Sequence, residues 1–295
     1  MDKATVGLLP LVPKPIVKKV SSRYIAGETL EEAVAVIKDL NAKGACATLD
    51  VLGEYIESLD QADRSVEAYI AALEAIRRHG LDSNISVKLS SLGLLLDPEY
   101  CFQRVRVIVK EAAEQGRFVR IDMEDSSVTE VTLAIHRRLR EEFTNVGVAI
   151  QAYMRRTQDD VSDIIAMNGN IRLCKGIYVE PRTLAWKDPL AVNRNFAFAM
   201  RRALERGVYV GIATHDERLI WEADAIIREL QLDKTRYEFQ MLLGVTEDLR
   251  DLLIADGHKL RVYVPFGAAW YAYSTRRLRE NPKMAGYVMK SMFSR

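Results

Sequence analysis

The sequence lacks most of what would mark a metalloenzyme or a secreted scaffold. Its three cysteines, Cys46, Cys101 and Cys174, are odd in number and widely spaced, and no C-x-x-C occurs. A disulfide framework and a cysteine metal site are therefore not expected, and a reducing compartment is. The four histidines, His79, His136, His215 and His258, are scattered without H-E-x-x-H or similar ligand spacing, so no metal is expected. Charge of one sign is also missing. Lys+Arg is 42 against 41 Asp+Glu, which leaves no field to attract nucleic acid or an anionic membrane surface. The only apolar run at the start, around Leu8–Val12, is broken by Pro10 and Pro13. It is too short to span a membrane and makes a poor signal peptide, so the chain reads as cytoplasmic.

What is present is a long regularity. Short β-rich runs alternate with amphipathic helical stretches, and no low-complexity linker interrupts them. Eight runs can be placed: Ala45–Leu49, Ile85–Leu89, Phe118–Met123, Val146–Tyr153, Ile171–Tyr178, Tyr209–Thr214, Tyr237–Leu242 and Arg261–Val264. Thr29 with Glu32 forms a capping box opening a helix over Leu30–Lys43, ahead of the first strand. Asp97-Pro98 precedes a helix at Tyr100–Gln115. Thr157 with Asp160 is an N-cap pattern before Val161–Met167. Thr246 opens Glu247–Ala255, and Gly80, Gly116, Gly169, Gly207 and Gly257 supply stop signals. Trp270–Glu280 supplies the eighth helix. The pattern predicts an α/β (βα)8 TIM-type barrel with an extra helix before strand 1: residues 1–26 as an N-terminal extension and 27–295 as the catalytic domain. An open doubly wound sheet is the competing fold, but it usually shows a glycine-rich turn after its first strand. Leu49-Asp-Val-Leu-Gly53 has one glycine.

A (βα)8 barrel carries its active site at the C-terminal ends of the strands. Those ends are unusually polar here: Lys88 at the end of strand 2, Asp122 and Glu124 at the end of strand 3, Gln151 on strand 4, Arg172 and Lys175 on strand 5, Thr214-His215 at the end of strand 6, Glu238 and Gln240 on strand 7, Arg261 and Tyr263 on strand 8. Polar side chains in buried strands cost free energy unless they are paired or bind something polar. Structural explanations exist for single members. Lys88 can pair with Asp122, Gln151 can satisfy stray backbone groups, and His215 can cap a strand end. The joint pattern favours a polar cofactor and a charged substrate. Of the five Arg-Arg pairs, Arg77-Arg78, Arg137-Arg138 and Arg201-Arg202 lie on outer-ring helical stretches where a solvated face is expected. Arg276-Arg277 follows Trp270-Tyr271-Ala-Tyr273-Ser-Thr and would make a carboxylate clamp at the barrel mouth.

Taken in order, Ser86-Val-Lys-Leu-Ser90, Ile121-Asp-Met-Glu-Asp125, Gln151-Ala-Tyr153, Arg172-Leu-Cys-Lys-Gly-Ile-Tyr178, Ala213-Thr-His215, Tyr237-Glu-Phe-Gln-Met-Leu242, Tyr263-Val-Pro-Phe-Gly267 and Tyr273-Ser-Thr-Arg-Arg-Leu-Arg-Glu280 resemble the monofunctional bacterial proline dehydrogenases, from about Tyr24 to about Pro282. The resemblance implies FAD as cofactor, L-proline as substrate, and hydride transfer from proline C5 to flavin N5 giving Δ1-pyrroline-5-carboxylate. It also implies a quinone acceptor, with peripheral contact at the inner membrane face. By the same resemblance, Lys88, Arg276 and Arg277 bind the carboxylate; Leu242, Tyr263 and Tyr273 surround the ring; Asp122 organises the cationic and phenolic groups; and Glu54 pairs with Arg276 on closure. Gln151, Arg172, Lys175, Gly176, Thr214, His215 and Glu280 hold the flavin, with Arg172 near N5. One residue departs from the family pattern: Ile177 stands where Lys-Gly-Ala-Tyr is usual. Two other readings remain open on the residues alone. Lys88 or Lys175 could form a Schiff base, and the arginine pairs could serve a non-enzymatic binding surface.

Overall fold

The computed structural model describes residues 21–53, 56–271 and 273–275. Eight parallel strands close into a barrel in chain order: β1 (Cys46–Val51), β2 (Ser83–Val87), β3 (Val119–Ile121), β4 (Val146–Gln151), β5 (Asn170–Cys174), β6 (Tyr209–Ala213), β7 (Tyr237–Leu242) and β8 (Leu260–Phe266). The closure is β1 against β8, in register from Cys46↔Arg261 to Val51↔Phe266. Helix α1 (Leu30–Ala42) precedes β1. The outer ring follows as α2 (Leu59–Arg78), α3 (Pro98–Glu114), α4 (Thr129–Glu142), α5 (Thr157–Ala166), α6 (Pro189–Glu205), α7 (Glu217–Glu229) and α8 (Glu247–Ala255). Trp270, Tyr271 and residues 273–275 are helical; the rest of the expected eighth helix lies outside the described residues. The barrel expected from the strand–helix alternation is the fold observed.

Side-chain caps start four of these eight helices. Thr29 and Glu32 form the reciprocal capping box of α1. Asp97 accepts the amide N–H groups of Glu99 and Tyr100 at the start of α3, where Pro98 fits the first turn. One expected cap differs. Helix α5 begins at Thr157, one turn earlier than Val161, with Arg156 at its cap position. The Thr157 hydroxyl instead donates to the carbonyls of Gln151 and Met154, which ties the helix to the end of β4. Thr246 opens α8 but caps nothing with its side chain; its hydroxyl meets His215. Several strands also end sooner than their composition suggests. Beyond Val87 the chain turns through a short 3-10 segment, Leu89–Leu92, and beyond Cys174 it turns at Gly176. Lys88, Asp122, Lys175 and Tyr178 therefore stand just past the strand ends.

The core divides by strand face. Ala47, Leu49, Ile85, Val87, Val119, Ile121, Val148, Ile171, Val210, Ile212, Val262 and Val264 are fully or almost fully buried and belong to the apolar core that includes the helices. The alternate positions turn inward and are polar: Thr48 and Asp50 on β1, Asn84 and Ser86 on β2, Arg120 on β3, Arg172 on β5, Glu238 and Gln240 on β7, and Arg261 on β8, all buried. Such barrels usually fill their interior with layers of branched apolar side chains. This one fills it with ion pairs and amides, and that choice positions the site.

Candidate active site

The site is built on a chain of four side chains, Lys88, Tyr263, Asp122 and Arg172, with Asp50, Ser86 and Gln240 as their partners. Lys88 Nζ donates to both oxygens of Asp50, at 2.7 and 2.8 Å, and to the Tyr263 hydroxyl at 3.1 Å. The Tyr263 hydroxyl donates to Asp122 Oδ2 at 2.6 Å. Asp122 Oδ1 accepts from Ser86 Oγ at 2.6 Å and from Arg172 Nη1. Arg172 also donates from Nε to Gln240 Oε1 at 2.7 Å and from Nη1 to Ser86 Oγ at 3.0 Å. A β5 residue that touches β2 and β7 at once must lie inside the closed barrel.

The electrostatics follow from this geometry. Burial works against the Lys88 ammonium, but the Asp50 and Asp122 carboxylates outweigh it and hold its pKa well above the ordinary lysine range. Burial also opposes ionisation of Asp122, yet Arg172 and then Lys88 bring it below the usual carboxylate range. Burial pushes Asp50 up against the pull of Lys88. The Tyr263 phenol is raised well above its ordinary value, by burial first and by Asp122 and Asp50 next. It stays neutral and donates its proton to Asp122. Lys88 therefore does not suit Schiff-base chemistry, which needs a readily deprotonated amine. Lys175 is engaged as well, its ammonium 2.5 Å from Asp216 Oδ2.

Above this floor lies a cavity of about 730 Å³, within the usual size range of ligand pockets. Lys88, Asp122, Gln151, Arg172, Lys175, Gly176, Ile177, Thr214, His215, Leu242 and Tyr263 all line it. Most of the residues singled out in the sequence thus meet at one place. Gln151 donates Nε2 to the carbonyl of Glu124 at 2.9 Å, which leaves its side-chain oxygen Oε1 without a hydrogen bond among the described residues. Gly176 has φ +106°, and a Cβ there would run into the Tyr153 ring, so only glycine fits. His215 Nε2 accepts the amide N–H of Leu242 at 3.1 Å, and Nδ1 lies 2.8 Å from Thr246 Oγ1. That fixes the neutral Nδ1–H tautomer, and burial lowers its pKa to about 4. Tyr273 is buried in a small cluster with Tyr24, Ile25 and Leu52 and is not among the residues lining the cavity. Glu54, Arg276, Arg277 and Glu280 lie outside the described residues. The helical pairs Arg77-Arg78, Arg137-Arg138 and Arg201-Arg202 include members paired with carboxylates on the outer ring, as in Arg138–Glu99 and Arg201–Glu229.

Sequence reasoning passed over Asp50 and Asp216, and quoted Glu238 and Gln240 without giving them a role. Asp50 was within reach, because the strand-end rule applied to β1 picks it out. Asp216 was legible as the N-cap of α7, where it accepts the amide N–H of Arg218.

The family model described as proline dehydrogenase matches residues 33–290. The chain belongs to the proline dehydrogenase family. Proline dehydrogenase 1 of Bacillus subtilis (strain 168) is 38% identical over 273 residues, covering 92% of this chain and 90% of that protein. Proline dehydrogenase of Deinococcus radiodurans is 36% identical over 277 residues, covering 92% and 89%. A crystal structure of proline utilization A from Bdellovibrio bacteriovorus, inactivated by N-propargylglycine, superposes with a TM-score of 0.84 at 24% identity. It covers 94% of this chain and 36% of that larger one, and it supports the barrel fold of this proline dehydrogenase family member. Among the described residues no helix is long and apolar enough to cross a membrane, and no group of His, Cys, Asp and Glu could hold a metal ion.

Proposed function

We propose that the protein oxidises L-proline to Δ1-pyrroline-5-carboxylate with FAD bound in the barrel mouth, and that a quinone takes the electrons onward. The observation that carries this reading is the Lys88–Tyr263–Asp122–Arg172 chain at the floor of the cavity. The donor set suits a flavin. Gln151, Arg172, Lys175 and Thr214 present hydrogen-bonding groups along one side, while Ala149, Ala213 and Gly176 leave room. Those residues with His215, and Glu280 by resemblance, would hold it. FAD, when bound, supplies the two-electron acceptor.

The protein's own residues have three tasks. Lys88 offers a cation that stays charged, and the Tyr263 ring stands beside it as a wall for the substrate ring. The Arg172 and Lys88 charges are already balanced by Asp122 and Asp50, so the described floor is close to neutral. The surplus that binds a carboxylate then comes from Arg276 and Arg277, which the family resemblance assigns to this role. Those cations also repel a protonated amine, which favours the neutral proline nitrogen. No residue need act as general base, and Tyr263, with its proton committed to Asp122, is unsuited to it. Positioning supplies most of the catalysis. Glu54 pairing with Arg276 would exclude water.

The test is direct. The purified protein should be yellow, and L-proline added without oxygen should bleach it with formation of Δ1-pyrroline-5-carboxylate. A colourless protein that leaves proline unchanged when supplied with FAD refutes the proposal.

A further inference from the structure

The interior of β7 holds two polar residues that no step above uses directly. Glu238 is almost wholly buried. Its Oε1 accepts from Gln240 Nε2 at 2.6 Å and from Arg261 Nε at 2.8 Å. Arg261 is anchored in turn on the carbonyl of Ala47, at 2.6 Å, and Lys259 Nζ lies 3.5 Å from Glu238 Oε2. Gln240 passes the constraint upward, because its Oε1 accepts Arg172 Nε.

An amide can turn over, exchanging its oxygen for its NH2 at little cost. If Gln240 turned over, its NH2 would face Arg172 Nε–H, donor against donor. A carboxylate beneath it removes that choice, because an ionised carboxylate only accepts. Burial opposes ionisation of Glu238, but Arg261 and Lys259 bring its pKa down to about 2, so it accepts at any working pH. The strand next door makes room for this arrangement. Gly211 on β6 sits between Arg172 and Glu238 in the register, and a Cβ there would collide with the Gln240 amide. Glycine inside a strand often marks such a close approach.

We propose that Glu238 is a positioning residue: through its hydrogen bond from Gln240 it fixes that amide with its oxygen toward Arg172, and so sets the orientation of the guanidinium in the site. The catalytic consequence rests on the reading of Arg172 given under Proposed function; the orientation itself does not.

The experiment therefore reads orientation apart from activity. Protein labelled with ¹⁵N-arginine is used, and the Arg172 Nε–H resonance is assigned by its loss in Arg172→Lys. Hydrogen exchange at that site is compared in the wild type, Gln240→Leu, Glu238→Gln and the double variant Glu238→Leu/Arg261→Met, which removes the ion pair together so that no charge is left buried alone. Glu238→Gln keeps an acceptor oxygen and should hold exchange within about threefold of wild type. Gln240→Leu and the double variant should each exchange roughly tenfold faster or more, the scale of one lost charge-assisted hydrogen bond. Wild-type exchange in a folded double variant overturns the proposal. If that variant does not fold, Glu238→Asp decides. It keeps a carboxylate but draws it back by one methylene from Gln240 and Arg261, which share Oε1, and unchanged exchange there overturns the proposal equally. In Gln240→Leu and the double variant, proline-dependent flavin reduction at saturating substrate should fall about tenfold with KM changed less than about twofold, and the flavin potential should become more negative. Accelerated exchange with unaltered flavin chemistry would uphold the orientation and remove Arg172 from the reaction. Absence of flavin and of proline oxidation in the wild type would refute the proposed function while leaving the exchange result to judge Glu238.

Discussion

Lys88 and Asp50 form a two-pronged ion pair at the floor of the site, with the ammonium 2.7 and 2.8 Å from the two carboxylate oxygens and Asp50 fully buried. Lys88 lies farther from the partner its sequence context suggested, 3.5 Å from Asp122 Oδ2. Breaking such a pair on one side leaves an uncompensated buried charge. Asp50→Ala should therefore cost about 3–5 kcal/mol of stability, read as a lowered urea midpoint with unchanged slope. A loss below about 0.5 kcal/mol, the scale of an ordinary surface substitution, would show that Lys88 finds equal company in Asp122.

Tyr263 links the two halves of the chain. In Tyr263→Phe the ring stays while Lys88 and Asp122 lose the bonds of 3.1 and 2.6 Å. Proline kcat/KM should fall roughly ten- to a hundredfold, the value of a hydrogen bond to a charged group. Flavin content should hold. Steady-state kinetics with an artificial electron acceptor give the answer, and unaltered kinetics would make the hydroxyl a bystander.

Gly176 is the position least tolerant of a side chain on the cavity wall. Its φ of +106° and the Tyr153 ring against it mean that Gly176→Ala should cost about 1–3 kcal/mol of strain. It should also lower the flavin-to-protein ratio of the purified enzyme. A full flavin complement and an unshifted melting temperature would contradict this.

His215 gives a pH dependence with a definite sign. Its folded pKa is about 4, below the ordinary histidine value near 6.5. The unfolded chain therefore binds the proton first as pH falls. The contribution of His215 to stability is complete above about pH 6.5, declines as pH drops toward about 4, and is constant below that. Denaturant titrations from pH 4 to 7 should show stability rising with pH, and less steeply in His215→Gln. Equal slopes in both proteins would assign the effect to other groups, His136 among them, whose burial lowers it to about 3.

The arginine clamp rests on sequence resemblance and is open to direct test. Arg276→Met and Arg277→Met should each weaken proline binding by about 1.5–3 kcal/mol, seen as a raised KM or a raised Kd for a proline-like carboxylic acid. If both variants bind as the wild type does, the carboxylate is held elsewhere.

The barrel was legible because it repeats. Eight β-rich runs separated by helical spacing leave few alternatives, and the polar strand ends could be read position by position from alternation alone. The boundaries were less legible. A run such as Ile171–Tyr178 keeps β-like composition past the point where the ladder stops, because backbone pairing depends on the neighbouring strand. The cap at Thr157 failed for a related reason. Its hydroxyl is claimed by the end of β4, a contact that local sequence does not contain.

The order of residues along the chain determined the fold, the family and the identity of the groups at the barrel mouth, since periodicity and motif spacing are local properties. Tertiary structure alone decided who meets whom. Curving the sheet into a closed cylinder brings β5 against side chains of β2 and β7, so Arg172 reaches Ser86, Asp122 and Gln240 together. It seals Asp50 beneath Lys88 and sets Glu238 under Gln240. A period of two fixes which face a residue takes. Only the closed geometry, with water excluded from its axis, fixes its partner across the barrel and therefore its charge.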